Sequence, residues 1–399
     1  MTKNFLFFLI AFCNVIYSVS SVPEDPFRKI EEIITSNGYP FERHLVQTED
    51  GYTIEIHRIP GGKGEKAYQA PANKPPVYVL NAFYQSSATW VSTGPRISLA
   101  YLLADNGFDV WLGNCRGNIF ARNHTTYVDL SYGFWNFSWH EMGLYDMPAA
   151  IDFILEITGR SQLYYGCHSQ GCTAAYVLGA LKPEYNKKIR FSAHMGPIAF
   201  LGNMKGIGRI LAPIIAKLGT PFLEKVGHFS MTGNALITII FRQILLHPPW
   251  FAIVFSAIYT FSGPSKLSDN REAIENGLPY TITGASTKQI VHYAQGVLNP
   301  YTFRQYDYGS VQNLKIYNSV EPPSYPLEKV TMPIAFIEGT NDFCANKLDL
   351  DYLAKKLPNV VGRFVYPLNH LDFAYNRNIK QLGYNKIVEL FLESEKRAS

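Results

Sequence analysis

The sequence predicts an α/β protein in which a mostly parallel sheet is flanked by helices. Strand-like and helix-like stretches alternate over much of the 399 residues. Some of the strand stretches, such as 77–80 and 334–337, are continuous apolar runs. Runs of this kind are typical of strands that are buried on both faces. Alternation with helices then favours a parallel sheet that helices cover.

The predicted elements begin with a helix over 26–36 and a β-hairpin. Two stretches of alternating β-forming residues, 44–48 and 52–59, flank Glu49-Asp50-Gly51, which is a frequent hairpin turn. The regular alternation follows. Its predicted strands are 77–80, 108–112, 163–166, 189–194, 334–337 and 360–366. Its predicted helices are 97–106, 146–158, 174–181, 346–356 and 379–393.

This alternation stops between about 197 and 323, where the sequence is apolar but has no clear strand and helix pattern. The sequence therefore predicts a core in two parts, 21–196 and 324–399, separated by a mainly helical insertion at 197–323. Two interpretations of the insertion are open. Its helices could bury their apolar faces against one another, or they could form a cap that lines an apolar pocket or contacts lipid.

A transmembrane segment is not expected in the insertion. The most apolar part, 235–261, is long enough to cross a membrane, but polar residues and prolines interrupt it. These are Arg242, Gln243, His247, Pro248 and Pro249.

The N-terminus has the composition of a secretory signal. Lys3 precedes the apolar stretch 5–12, and the small residues Ser18 and Ser20 follow it, which predicts a signal peptide over 1–20. The alternative, an N-terminal membrane anchor, needs a longer apolar run. Loss of Lys3 would lower the net charge from +4 to +3. This mild and scattered positive charge does not favour a nucleic-acid partner.

Other features are consistent with a secreted protein. Two sequons predict glycosylation at Asn123 and Asn136. The cysteines after residue 20 are Cys115, Cys167, Cys172 and Cys344. They allow three disulfide pairings, and packing as small apolar residues is an equal alternative for Cys167 and Cys172. The spacing of cysteines and histidines indicates no metal site.

A predicted strand-to-helix turn is centred on Ser169. The aromatic stretch 163–166 leads into Cys167-His168-Ser169-Gln170-Gly171, and a helical pattern follows. This context suits a nucleophile elbow, which lifts a serine hydroxyl off the sheet and directs helix N–H groups at an oxyanion. The usual pattern is G-x-S-x-G, but Cys167 occupies its first position. From this stretch alone, an ordinary serine in a turn remains the alternative.

The rest of the chain supplies partners for this serine. Ser169, Asp342 and His370 each follow a predicted strand, in the chain order of α/β-hydrolase triads. Catalytic groups gather at the carboxyl ends of parallel strands. His370 could then accept the serine proton while Asp342 orients its ring. Oxyanion donors are expected from the backbone N–H of Gln170 and from the loop that contains Phe83. The sequence therefore predicts an α/β-hydrolase fold.

Motifs that are spread over most of the chain point to one family. They are Asn37-Gly38-Tyr39-Pro40, Thr48-Glu49-Asp50-Gly51-Tyr52, Asp109-Val110-Trp111-Leu112-Gly113-Asn114, Arg116-Gly117-Asn118, Phe137-Ser138-Trp139-His140-Glu141-Met142, Tyr145-Asp146, His168-Ser169-Gln170-Gly171 and Asn369-His370-Leu371-Asp372-Phe373. With these motifs the chain resembles the animal acid lipase family, which contains gastric lipases and lysosomal acid lipase.

The resemblance implies a site and an activity. Ser169, Asp342 and His370 match the family triad, and the amides of Phe83 and Gln170 match its oxyanion donors. The insertion matches a cap and lid that opens at a lipid surface, and the family needs no cofactor or metal. The implied function is a secreted or lysosomal lipase that hydrolyses triacylglycerols or cholesteryl esters. Its expected partner is therefore lipid or a lipid–water interface.

Two departures from the family pattern suggest weaker or altered activity. The family usually has His-Gly-Leu where this chain has Asn81-Ala82-Phe83, and glycine where it has Cys167. Alanine adopts a positive φ less easily than glycine, and Cys167 adds bulk between strand and helix. An alternative function is therefore a catalytically weakened lipase-fold protein for lipid binding or storage. A third, an esterase for soluble short-chain esters, is disfavoured by the apolar insertion.

Overall fold

The fold is that of a computed structural model, which describes residues 29–65, 74–228, 230, 259–265 and 283–397. The predicted signal peptide at 1–20 lies outside the described residues. So do 235–258, which form most of the apolar stretch that was expected not to span a membrane.

One mixed sheet of nine strands forms the centre of the described structure. The strands are β1 (Glu42–Gln47), β2 (Tyr52–Ile59), β3 (Pro76–Leu80), β4 (Asp109–Leu112), β5 (Asn123–His124), β6 (Leu163–His168), β7 (Ile189–Met195), β8 (Ile334–Gly339) and β9 (Val360–Tyr366). Their order is β1-β2-β4-β3-β6-β7-β8-β9, and β5 pairs with β2. β1, β2, β4 and β5 pair through antiparallel ladders, including the predicted hairpin. From β4 to β9 all neighbours are parallel, as predicted.

The described helices are α1 (Ile30–Ser36), α2 (Leu99–Asp105), α3 (Trp139–Glu141), α4 (Met147–Thr158), α5 (Gln170–Leu181), α6 (Gly206–Val226), α7 (Thr287–Leu298), α8 (Ser310–Tyr317), α9 (Lys347–Lys356), α10 (Asp372–Tyr375) and α11 (Asn385–Lys396). A π-helical turn, Met142–Asp146, joins α3 to α4, and a second one, Lys380–Tyr384, precedes α11. The predicted strands and core helices are confirmed close to their expected bounds. The sequence analysis missed β5, α3, α7, α8 and α10.

Helices cover both faces of the sheet because the strand residues alternate between two apolar clusters. On β6, Tyr164 belongs to a cluster with Leu103 of α2 and Phe391 of α11. The next residue, Tyr165, belongs to a cluster with Ile151 of α4 on the opposite face. All six residues of β6 are buried. The strand that precedes Ser169 is therefore fixed from both sides.

The chain leaves the sheet between β7 and β8, where the insertion was predicted. Helices α6 and α7 pack closely, since a Cβ at Gly219 would lie 2.5 Å from Val291 Cγ2. Among the described helices, Gly206–Leu223 of α6 is long and apolar enough to cross a membrane. A single helix of this kind is weak evidence for a span. The absence of a transmembrane segment and the insertion bounds 197–323 both stay predictions.

Buried polar groups join α7 to the core beside the predicted elbow. The His292 ring lies on Trp139 with 3.6 Å between centroids, and its Nε2–H donates to the carbonyl of Arg304 at 3.0 Å. Its Nδ1 lies 3.1 Å from Ser138 Oγ. Burial lowers the pKa of His292 from 6.5 to about 3, so the ring is neutral.

This contact predicts that the folding stability depends on pH. In the unfolded chain His292 binds a proton below about pH 6.5, whereas in the folded protein it does so only near pH 3. Its contribution is therefore complete above pH 6.5 and is lost as the pH falls. In urea unfolding between pH 7 and 4, His292→Gln should be less stable than wild type at pH 7. As the pH falls, the free energy of unfolding of the variant should also decrease less steeply than that of wild type, by up to about 1.4 kcal/mol per pH unit. Parallel pH profiles would contradict this.

Candidate active site

Ser169 lies at the sharp turn between β6 and α5, as the sequence predicts. Its backbone has φ 52° and ψ −112°, a conformation that non-glycine residues adopt only when the surroundings impose it. The Ser169 N–H donates to the carbonyl of Met195 at 3.0 Å, and its carbonyl accepts from the Cys172 N–H at 3.0 Å. Strain of this kind costs about 1–3 kcal/mol, which packing elsewhere has to offset.

The structure brings the three predicted catalytic residues together in one hydrogen-bonded line. Ser169 Oγ lies 2.8 Å from His370 Nε2, and His370 Nδ1 lies 2.8 Å from Asp342 Oδ2. Because the carboxylate can only accept, Nδ1 carries the proton and Nε2 is free to accept from the serine. The other oxygen, Asp342 Oδ1, accepts from the N–H groups of Cys344 and Ala345 at 2.8 Å each. This geometry can activate a serine hydroxyl as a nucleophile.

His168 holds the loop that contains His370. Its Nε2–H donates to the His370 carbonyl at 2.9 Å. Burial, together with the nearby His370, lowers the pKa of His168 well below its ordinary value. The ring is thus neutral and keeps a single N–H for this bond. Room for the His370 and Asp342 side chains comes from Gly196, where a Cβ would lie 3.3 Å from His370 Nδ1 and 3.0 Å from Asp342 Oδ2.

A short segment of the insertion, Tyr259 to Ser265, also contacts both triad loops. The carbonyl of Ser262 accepts from the N–H groups of Phe343 and His370 at 3.2 and 3.1 Å. Asn369 Nδ2 donates to the carbonyl of Gly263 at 2.8 Å. Gly263 has φ 102°, and a Cβ there would lie 1.8 Å from the Asn341 carbonyl oxygen. The sequence analysis missed Gly196, Ser262 and Gly263. The only local signal at these positions is a proline directly after each of the two glycines.

The predicted oxyanion donors lie on both sides of a close backbone approach. Gln170 is the first residue of α5, so its N–H has no acceptor within the helix. Phe83 lies in the turn after β3. A Cβ at Gly171 would lie 2.8 Å from the carbonyl oxygen of Leu80 and 3.1 Å from that of Asn81. Only glycine therefore lets the start of α5 approach the loop that carries Phe83.

The expected strain at Ala82 is not observed. Ala82 does not have a positive φ, whereas Tyr84, two residues later, has φ 65°. The Ala82 N–H donates to Gln85 Oε1 at 3.3 Å. The substitution of glycine by alanine at this position therefore costs less than the sequence comparison suggested, because the left-handed residue of the loop lies elsewhere.

Cys167 and Cys172 form a disulfide, while Cys115 and Cys344 are free and buried. Of the interpretations left open, bridging is therefore correct for this pair, and packing as separate apolar residues is wrong. Cys167 does not simply add bulk between strand and helix, because its sulfur is bonded to the helix itself.

Two buried clusters in the described structure have residue types that can bind metal. They are Cys167, Cys172 and His194, and Asp342, Cys344 and His370. In the first cluster both sulfurs belong to the disulfide. In the second, Asp342 and His370 are hydrogen-bonded to each other. In both clusters, some of the atoms that could bind a metal are thus already engaged. The absence of a metal or cofactor stays a prediction.

Aromatic and amide groups connect the elbow with the insertion. The ring of Phe83 contacts that of Tyr293 of α7 at 5.5 Å between centroids. Gln170 Oε1 accepts from Gln289 Nε2 at 2.9 Å and from the Tyr293 hydroxyl at 3.2 Å. Behind these groups lies a cavity of about 20 Å³, which Trp139, Thr173, Ile198 and other residues line. The insertion therefore covers the elbow directly.

Both predicted glycosylation sites are at the surface. Asn123 and Asn136 are exposed, and Asn136 Oδ1 accepts from Lys288 Nζ at 3.0 Å. Because this bond uses the oxygen of the Asn136 side chain, it does not engage the amide nitrogen that would carry a glycan.

The fold and this arrangement of groups define an α/β hydrolase. Sequence models of a partial α/β-hydrolase lipase region and of the α/β-hydrolase fold match residues 30–94 and 75–205. A solved structure of a soluble variant of monoglyceride lipase from Saccharomyces cerevisiae has a similar fold, with a TM-score of 0.52 at 12% identity. The match covers 88% of this chain and 94% of that one.

Two relatives are similar over nearly the whole chain. Human gastric triacylglycerol lipase is 35% identical over 371 residues, which cover 92% of each chain. Human lysosomal acid lipase/cholesteryl ester hydrolase is 32% identical over 380 residues, which cover 93% of this chain and 92% of that protein. The chain belongs to the lipase family that contains these two proteins.

The close approach at Gly171 predicts a large effect of a single methyl group. Gly171→Ala should push the loop of Phe83 away from α5 and lower kcat about 100-fold or more, with a small change in KM. The matched control is Gly166→Ala on β6, whose Cβ would lie at an ordinary 3.7 Å from Val79 and should be tolerated. Ester hydrolysis by both variants checks this, and a Gly171→Ala kcat within threefold of wild type would contradict it.

Proposed function

We propose that this protein is a serine lipase that hydrolyses carboxylic esters of neutral lipids, triacylglycerol or cholesteryl ester. The observation that carries this proposal is the line of hydrogen bonds from Ser169 through His370 to Asp342, with 2.8 Å at each step. Two further observations support the proposal. The three residues follow strands β6, β8 and β9, and the chain is similar to gastric and lysosomal acid lipases.

In the proposed mechanism Ser169 Oγ attacks the ester carbonyl while His370 Nε2 accepts its proton. Asp342 keeps the His370 proton on Nδ1 and stabilises the imidazolium. The N–H groups of Phe83 and Gln170 donate to the oxyanion of the tetrahedral intermediate. His370 then gives the proton to the departing alcohol. Water, activated by the same imidazole, releases the fatty acid from Ser169.

An exposed apolar face on the insertion favours lipid over a soluble ester. Ile210, Ile214, Leu218 and Phe222 of α6 are each more than half exposed. They are four residues apart and therefore share one side of the helix. Exposed apolar surface of this kind suits contact with a lipid–water interface. We propose that α6 makes this contact when the enzyme acts on emulsified substrate.

The sequons and the disulfide suit a protein that passes through the secretory pathway, because disulfides persist in oxidising compartments. We propose that the protein is secreted, with a lysosomal destination as the alternative. We also propose that Asn123 and Asn136 carry glycans. Both asparagines are exposed, which supports their modification.

The test is ester hydrolysis across a chain-length series, together with labelling by a fluorophosphonate. Wild type should be labelled and should release fatty acid from emulsified triacylglycerol, with an increase in rate once the substrate forms an emulsion. Ser169→Ala should lose the label and at least about 1000-fold of kcat, because the nucleophile is absent.

The other outcomes identify the alternatives. Hydrolysis of short soluble esters without an increase at an interface would indicate a soluble-ester esterase. Folded wild type that is neither labelled nor active would overturn the proposal and favour a lipase-fold protein for lipid binding or storage. Equal labelling of wild type and Ser169→Ala would place the nucleophile elsewhere.

A further inference from the structure

We infer that the Cys167–Cys172 disulfide is a positioning crosslink that keeps Ser169 in its reactive conformation. The inference rests on the proposed function of Ser169 and concerns what maintains the geometry of that site. The bond joins residues with a sequence separation of five, and Ser169 lies inside the loop that it closes. The two cysteines thus bracket the nucleophile.

The sheet fixes one end of the crosslink. Cys167 pairs with Leu80 of β3 on one side and with His194 of β7 on the other. It is fully buried, and these are the last register pair with β3 and the last but one with β7. A residue held by two neighbouring strands cannot shift without breaking both ladders. Cys167 is therefore a rigid anchor for the residue to which it is bonded.

The other end fixes the first turn of α5. Cys172 lies in that turn, and its N–H donates to the Ser169 carbonyl at 3.0 Å. The same turn begins with Gln170, whose N–H is the proposed oxyanion donor. The crosslink therefore ties the end of β6 to the part of α5 that carries the donor. It fixes the positions of the Gln170 N–H and of Ser169 relative to β6.

The crosslink matters because the backbone of Ser169 is strained. With φ 52° and ψ −112°, this residue would relax if the first turn of α5 moved away from the sheet. Hydrogen bonds can break and re-form during such a movement, whereas a covalent bond between the two flanks excludes it. The disulfide thus keeps the strained conformation as the stable one.

Burial protects this disulfide from reductants in solution. Cys167 and Cys172 are both fully buried, so a reductant in solution would reach the bond only after the elbow opens. Cys115, which is also buried on the same face of the sheet, is free. It offers a control for the loss of a cysteine from this core without loss of the crosslink.

Mass analysis of proteolytic fragments tests whether the bond is present. After digestion without reductant, the fragment that contains both Cys167 and Cys172 should be lighter by two hydrogens than after reduction, and Cys115 should react with an alkylating agent. Alkylation of Cys167 and Cys172 in unreduced protein would overturn the inference.

The functional test compares two double variants with wild type and with Cys115→Ala. The variants are Cys167→Ala/Cys172→Ala and Cys167→Val/Cys172→Ala, the second of which restores volume in the core. For both, the rate constant of fluorophosphonate labelling at Ser169 and kcat should fall about tenfold or more, with KM within twofold of wild type. Cys115→Ala should keep the wild-type labelling rate even if it melts at a lower temperature.

The outcomes separate this inference from the proposed function. Unlabelled wild type would refute the proposed function, and the positioning role would fall with it. Labelled wild type with equally fast, folded double variants would overturn the positioning role alone. If neither double variant folds, wild-type protein is kept in reductant long enough for the elbow to open transiently, and reduction of the disulfide is followed by mass. The labelling rate should then fall in step with opening, and an unchanged rate in opened protein would contradict the inference.

Discussion

The structure of the site depends on one constraint, the strained backbone of Ser169 at the junction of β6 and α5. Its φ of 52° raises the hydroxyl to within 2.8 Å of His370 Nε2 and leaves the N–H groups at the start of α5 directed at the same space. A strained residue persists only where its surroundings are rigid. Here the rigid surroundings are a fully buried strand, neighbouring strands on both sides and a disulfide between the flanks.

The insertion is part of this rigid frame as well as a cover. Its Ser262 and Gly263 accept hydrogen bonds from the loops that contain His370 and Asp342, while Gln289 and Tyr293 of α7 hold the side chain of Gln170. A movement of the insertion would therefore affect the groups that position Ser169, His370 and the proposed oxyanion donor Gln170. The position of the insertion and the geometry of Ser169, His370 and Gln170 are thus coupled through the same contacts.

Much of the fold was predictable because buried parallel strands have continuous apolar runs and are followed by polar residues. Ser169, Asp342 and His370 could be placed at one edge of the sheet for this reason. The helix α7 was missed because Lys288, Gln289 and His292 are buried polar residues, which conceal an apolar face. The disulfide could not be chosen from three pairings, and the contacts of Ser262 join residues about 80 to 110 positions apart, so no local pattern indicates them.

The central claim is that one catalytic unit is formed by Ser169, His370 and Asp342 together with the backbone N–H groups of Phe83 and Gln170. A crystal structure with a covalently bound phosphonate ester tests this most directly. We expect phosphorus on Ser169 Oγ and the phosphoryl oxygen within about 3.1 Å of the nitrogens of both Phe83 and Gln170. Phosphorus on another residue, or a phosphoryl oxygen that points away from both nitrogens, would contradict the claim.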